Sequence, residues 1–230
     1  MVGRHVPALV AIGCAATNDP IPAIGGRSRD TRRVEGDRWN SNLHAFEVLL
    51  RSVPEGAQRG LDVGCGEGET ARRLRTRVPS VVGIDPDRPS IEQAQAREDD
   101  IEYHIGSLGE VDLAEASFDI VCSVAMLHHV DQVTGLTQLA QLVRPGGMLL
   151  VVGLARSRSP RDFVRDTRDA FAIRRHTVTK GVWETPAPKL WPPPLSYSET
   201  RAASLATLPD ARYERLPYFR YGLTWRAPAT

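Results

Sequence analysis

Short apolar runs alternate with helix-patterned segments along residues 59–154, and this alternation constrains the fold more than any other feature of the chain. RGLDVG (59–64), SVVGID (80–85), IEYHI (101–105), FDIVCSVAML (118–127) and MLLVVGL (148–154) have the length and the Val, Ile and Leu content of buried strands. Helical spacing fills the intervals at 69–77, 89–97 and 133–143. A proline opens the second of these helices, and RPGG stops the third. Apolar strands joined by helices predict an α/β fold, a parallel sheet covered on both faces. With 230 residues, the chain can build one such domain with a sizeable core.

The flanks read differently. In residues 37–50, Leu43, Phe46, Leu49 and Leu50 recur at helical spacing, and SVPEG ends that helix. Residues 1–35 show no sustained period and read as a disordered leader. PALVAIGCAA (7–16), behind Arg4 and His5, has the faint look of a signal peptide or of a lipoprotein box at Cys14. Its short apolar core favours a non-structural leader or an upstream start codon instead. Beyond the core, residues 162–175 form an Arg-rich helical stretch, 185–198 a proline loop and 199–208 a short helix. ARYERLP and YFRYGLTWRA alternate like two final strands. The expected organisation is thus a leader (1–35) and a single domain (36–230). That domain divides into an N-terminal helix (37–58), a core (59–155) and a C-terminal part (156–230).

The bulk properties exclude several partners. A formal net charge of +1 gives no long-range field toward nucleic acid. Three cysteines at irregular spacing, Cys14, Cys65 and Cys122, argue against a disulfide framework or a metal site and fit a cytoplasmic protein. No run approaches the ~20 apolar residues that span a bilayer.

LDVGCGEGET (61–70) carries the functional signal. Its glycines, Gly64, Gly66 and Gly68, are spaced G-x-G-x-G, where a dinucleotide fingerprint has G-x-G-x-x-G. Asp62, Glu67 and Glu69 surround the turn, and carboxylates repel a pyrophosphate. S-adenosylmethionine has no phosphate and is cationic at its methionine end, which Asp62 can favour directly or through water. The glycines let the backbone approach such a cofactor closely. Asp85 ends the next strand, 21 residues after Gly64, where a carboxylate can accept from both ribose hydroxyls.

LDVGCGEGET, VVGIDPD, SFDIVCSVAMLHHV and LVRPGGMLLVV, in this order, resemble the motifs of class I S-adenosylmethionine-dependent methyltransferases. The nearer likeness is to the small-molecule enzymes related to ubiquinone and menaquinone biosynthesis, the type 11/25 methyltransferase domain. The resemblance implies a Rossmann-like fold, a seven-stranded mostly parallel sheet with helices on both faces and an antiparallel C-terminal strand. It implies that Asp62, Gly64, Cys65, Gly66 and Gly68 form the methionine-binding turn, that Asp85 is the ribose acid and that Pro86 lies by the adenine. Ser107 and Leu108 take the adenine-edge position, with Ser107 where the family often has Asp, a weaker acceptor in its place.

Methyl transfer to a neutral hydroxyl benefits from a general base, and His is the natural candidate near neutral pH. His128 and His129 follow the fourth core strand, whose carboxyl end faces the ligand crevice of such sheets, and His44 sits in the N-terminal helix. Each is a candidate catalytic residue, with packing of the strand-to-helix connection or an exposed helix position as the alternative. Arg156, Arg158, Arg161, Arg165 and Arg168 read as a solvated helix face paired with Asp162, Asp166 and Asp169, or as an anion site. Trp183, Trp191 and Tyr197 either line an acceptor pocket or anchor the proline loop.

The expected function is transfer of a methyl group from S-adenosylmethionine to a small organic acceptor, at oxygen, in secondary metabolism. No nucleic acid, membrane or metal is expected as a partner. Three alternatives stay open: a C- or N-methyltransferase of a quinone-like or amine acceptor, a non-catalytic S-adenosylmethionine-binding protein, and a nucleic-acid methyltransferase. The last is disfavoured because the chain lacks the N/D-P-P-Y/F stretch of base-methylating relatives. The acids around the turn disfavour an NAD-dependent oxidoreductase.

Overall fold

The computed structural model describes residues 40–180 and 192–229, with side chains in the helix that ends at Lys180 described through Arg175. The leader, Trp183, Trp191 and the first half of the proline loop (185–191) lie outside the described residues. Seven strands form one sheet: β1 (Arg59–Val63), β2 (Ser80–Asp85), β3 (Glu102–Ile105), β4 (Phe118–Val124), β5 (Val143–Leu154), β6 (Arg212–Leu216) and β7 (Arg220–Arg226). Their order is β3-β2-β1-β4-β5-β7-β6. The first five strands are mutually parallel. β7 runs antiparallel between β5 and β6. The expected architecture therefore holds, and its antiparallel strand is the last in sequence but not the last in the sheet.

The order reverses between β1 and β4. At such a switch point the loops leaving the two strands diverge and open a crevice at their carboxyl ends. Burial drives the centre of the sheet: every residue of β4 is buried, as is β1 after Arg59. The two faces are covered separately. On one side, α1 (Ser41–Leu50), α2 (Glu69–Arg75) and α3 (Arg88–Gln95) supply Phe46, Leu49, Leu74 and Ile91. On the other, α4 (Gln132–Leu142) and α6 (Tyr197–Thr207) supply Leu136, Leu139 and Tyr197.

The helix starts follow local chemistry. Asn40, Asp87 and Asp131 cap α1, α3 and α4 by accepting backbone N–H bonds. Ser196 and Glu199 form a reciprocal capping box on α6, which starts two residues before the sequence pattern predicts. β5 begins at Val143, one residue before the RPGG stretch (144–147) that reads as a helix stop, and runs through it. Val143 pairs with Phe118, but Met148 pairs with Ile120, so residues 144–147 bulge out of the ladder. Gly147 permits this, because a Cβ there would meet the Asp119 carbonyl oxygen at 2.8 Å.

The helix α5 (Pro160–Lys180) starts near the predicted place and runs longer. Among the described residues its acids do not form the ion pairs with neighbouring arginines that the sequence predicts. Asp162 and Asp166 accept from Arg215 at 2.8 and 3.4 Å, and Asp169 accepts from the Phe219 backbone N–H. The reason is tertiary: β6 brings Arg215, whose guanidinium also stacks on the Tyr197 ring at 3.2 Å, between the two elements.

Candidate active site

The glycine turn leaves β1 and enters α2 under the constraints of three left-handed glycines: Gly64 (φ 76°), Gly66 (φ 52°) and Gly68 (φ 80°). They serve different purposes. A Cβ at Gly64 would strike Met126, and one at Gly68 would strike Tyr103 and Arg72. At Gly66 a Cβ would meet nothing within 4 Å. Open space beside a backbone that needs glycine only for its dihedral is what a ligand cradle requires.

Asp85 holds this turn. Its Oδ2 accepts from the Gly66 N–H at 2.8 Å, and its Oδ1 accepts from the Asp87 N–H at 2.8 Å. Gly64 and Cys65 N–H groups both donate to the Ile84 carbonyl, at 2.9 and 3.1 Å. The ends of β1 and β2 are thereby locked together. Each oxygen of Asp85 keeps a further lone-pair direction for another donor.

Asp62 lies inside the floor of the turn and is fully buried. Its Oδ1 accepts from the Cys122 thiol at 3.5 Å, and its Oδ2 has no partner among the described residues. Burial first, and then the Asp85 charge, push its pKa up to about 7 against the lowering bonds from Cys122 and the Ala71 backbone. The ammonium of a cofactor is the kind of donor that such an oxygen lacks.

This burial gives a prediction with a definite sign. An unfolded Asp62 ionises above pH 3.8, whereas the folded carboxyl keeps its proton up to about pH 7. Folding stability therefore falls as pH rises between those values. Three units at ~1.36 kcal/mol each set an upper bound of about 4 kcal/mol. Asp62→Asn does not titrate, so its melting temperature gains on wild type by several degrees between pH 4 and pH 7 and holds that gain above. Scanning calorimetry across this range measures the gap, and a gap independent of pH contradicts the account.

Two expectations about the turn change. Glu69 does not present its charge to a ligand. Arg72, Arg73 and Arg97 pair with it at 3.1, 3.1 and 3.2 Å, and although burial opposes them they hold it below the usual carboxylate range. The charge argument against a pyrophosphate thus rests on Asp85 and Glu67, because Asp62 keeps its proton up to about pH 7. The Cys65 side chain belongs to the core: it packs against Gly83, and burial raises its thiol well above the ordinary value. Within the turn the Cys65 thiol donates to the Gly66 carbonyl at 3.7 Å, and its backbone carbonyl accepts from the Gly68 N–H at 2.9 Å.

The adjacent strand ends supply the remaining positions. Pro86 is exposed between Asp85 and the cap of α3. After β3, the Ser107 N–H donates to Glu110 at 2.9 Å, and half-buried Leu108 packs on the core beside Met126. Asp62, Gly64, Gly66, Asp85, Pro86, Ser107 and Leu108 therefore gather at one end of β1, β2 and β3.

The three histidines separate. A single 3-10 turn (Leu127–His129) follows β4. In it His128 is half-buried and its Nδ1 has no partner, whereas His129 is exposed and lies with its ring centroid 4.1 Å from that of His128. His44 is exposed on α1 and packs edge-on against Tyr218 at 5.2 Å. Burial, then His129 and Arg220, lower the His128 pKa to about 4. It is neutral at pH 7, a proton acceptor weaker than an ordinary imidazole. A cavity of about 430 Å³ lies elsewhere, between α5, α6 and β6, with Arg158, Arg165, Arg201 and Arg215 on its walls. Sequence reasoning gave no role to Arg220 or Met126. Arg220 stands in no recognisable motif, Met126 stands in SFDIVCSVAMLHHV as an apolar residue with no chemistry of its own, and both act here only through tertiary contact.

Comparison with known proteins decides the family. Residues 61–151 match the model of the methyltransferase domain. An uncharacterized methyltransferase of Mycobacterium tuberculosis is 40% identical over 193 residues, which cover 83% of this chain and 98% of the relative. The chain is a methyltransferase. Its cofactor is S-adenosylmethionine. A ubiquinone biosynthesis O-methyltransferase of Bradyrhizobium diazoefficiens is 33% identical, over 49% of the methyltransferase described here and 46% of its own length. Among solved structures, the N-methyltransferase NodS of Bradyrhizobium japonicum superposes with a TM-score of 0.54 at 16% identity, covering 81% and 96% of the two chains. That likeness is one of fold. No helix of the methyltransferase is long and apolar enough, among the described residues, to cross a membrane. No group of three or more His, Cys, Asp or Glu among them is placed to hold a metal ion.

Proposed function

We propose that this methyltransferase acts on a small organic acceptor at oxygen, with the acceptor seated beside His128. The observation that carries this reading is the convergence, at one sheet end, of an open glycine cradle, an unpartnered Asp62 oxygen and an unpartnered His128 nitrogen. The cofactor supplies a methyl group on a sulfonium, an activated leaving group, so the protein's task is alignment.

Each residue has a definite part in the proposal. Asp62 Oδ2 accepts from the ammonium of the cofactor. Gly64, Cys65, Gly66 and Gly68 shape the backbone that receives its methionine end, Gly66 by open space and Gly68 by admitting Tyr103 beneath the turn. Asp85 uses its spare lone pairs for the ribose hydroxyls while its other bonds hold the turn. Pro86, Ser107 and Leu108 border the adenine. Of the three histidines, His128 is the base, because it alone combines burial with an unpartnered ring nitrogen. His129 packs on it, and His44 buttresses Tyr218. A small acceptor fits the near-neutral charge and the enclosed position of His128 better than a nucleic acid does.

The test is the fate of the label from methyl-tritiated S-adenosylmethionine incubated with the protein and with separated small-molecule and RNA fractions of a cell extract. Label in the small-molecule fraction, on an oxygen, is the expected outcome. Label in RNA, on nitrogen or carbon, or nowhere contradicts the reading.

A further inference from the structure

The carboxyl end of the sheet holds a guanidinium that no described carboxylate neutralises. Arg220 opens β7 and lies opposite Leu154, the last residue of β5. Its Nε donates to Asn42 Oδ1 at 2.6 Å and its Nη2 to Ser41 Oγ at 3.1 Å. Its Nη1 donates to the carbonyls of Tyr218 and Phe219 at 3.1 and 3.5 Å. All four acceptors are neutral, and of the five N–H groups of a guanidinium one, on Nη2, has no acceptor among the described residues. Arg215, on the neighbouring strand, instead pairs with Asp162 and Asp166. Ser41 and Asn42 form the first turn of α1, so the positive end of that helix adds to the charge of Arg220. A half-buried cation in such a place is unfavourable until an anion completes it.

Two further polar atoms nearby lack partners. Tyr197 is only 5% exposed, and its hydroxyl has no hydrogen bond among the described residues. His128 Nδ1 is buried and equally unpartnered. Both groups are close enough to Arg220 to interact with it electrostatically. Three elements that are distant in sequence, the turn after β4, the start of α6 and the start of β7, thus bring two orphaned hydrogen-bonding groups to an uncompensated cation. A planar anion with two oxygens offers an acceptor to the free N–H of Arg220 and another to the Tyr197 hydroxyl, and Arg is the side chain suited to such a group.

We propose that Arg220 binds a carboxylate of the methyl acceptor, with the Tyr197 hydroxyl as its other partner and His128 Nδ1 left free to act as the base. This rests on the reading of the chain as a methyltransferase whose acceptor lies beside His128. The competing role for Arg220 is a strap that ties α1 to β7; its four existing bonds satisfy that role and create no preference for an anion.

The test uses benzoate and its uncharged isostere benzamide, with acetate and acetamide as the smaller pair. Each is titrated calorimetrically into the full-length protein, alone and saturated with S-adenosylhomocysteine. The proposal expects saturable carboxylate binding at least tenfold tighter than that of the matching amide. It expects this preference to disappear in Arg220→Met, to persist in part in Arg220→Lys and to shrink in Tyr197→Phe, which leaves the α1 strap intact. Equal affinity for acid and amide in wild type, or no binding by either pair, overturns the proposal without any variant having to fold. Failure of S-adenosylhomocysteine to bind counts against the methyltransferase reading instead, since the probes still report on Arg220 in the cofactor-free protein.

Discussion

Asp85→Ala weakens binding of S-adenosylhomocysteine at least tenfold. In the folded protein Asp85 already accepts from the Gly66 and Asp87 N–H groups, so the substitution frees the turn as well as removing the proposed ribose acceptor. Two charge-assisted hydrogen bonds at ~1.5–3 kcal/mol each would give a larger loss if both were fully expressed, and water replaces part of it. Asp85→Asn separates the two contributions. Its amide oxygen can keep one backbone bond while the charge is gone, so its affinity falls between wild type and Asp85→Ala. Titration calorimetry on folded variants measures all three, and unchanged affinity in Asp85→Ala contradicts the assignment.

His128→Gln lowers the rate of methyl transfer by ~10²–10⁴ and leaves cofactor affinity nearly unchanged, because the base acts on the acceptor only. The pH profile carries the sharper signature. With its pKa lowered to about 4 by burial and by the charges of His129 and Arg220, His128 is neutral above about pH 5. The rate therefore rises with pH through that low value and not through the ordinary imidazole range, and the variant loses this rise. His129→Gln and His44→Gln keep both the rate and the profile, since His129 is exposed and His44 packs on Tyr218. Full activity in His128→Gln shows that alignment alone suffices, as it does for an acceptor that is already anionic.

The fold was legible because its signals are local and repeated. Five apolar runs with helices between them can be buried only as a parallel sheet, and all five strands stand within a few residues of their predicted places. The β5 start was missed because RPGG reads as a stop, whereas Gly147 in fact admits a bulge against the Asp119 carbonyl. The glycine turn was legible as a motif, but the division of packing labour within it was not. Gly64 answers to Met126, Gly68 to Tyr103, and Cys65 to Gly83, contacts that span up to 62 residues and leave no trace in the local pattern. The same holds for charge. The sequence places acids beside the turn, but only the packed protein shows that Glu69 is neutralised by three arginines and that Asp62 is held near neutrality by burial. Arg220 was invisible for a related reason: its site is made by α1, β7 and the turn after β4, and no one of these carries a motif for it.

Calorimetric titration of the full-length protein with S-adenosylhomocysteine, and separately with NADH, tests the central claim most directly. The open cradle at Gly66, the unpartnered Asp62 oxygen and the Asp85 carboxylate together call for a ligand that is cationic at one end, carries a ribose and lacks phosphate. The account predicts one saturable site for S-adenosylhomocysteine and no measurable heat with NADH at the same concentrations, because the pyrophosphate would lie against Glu67 and Asp85. Binding of NADH with comparable or higher affinity, or silence toward S-adenosylhomocysteine, would contradict it.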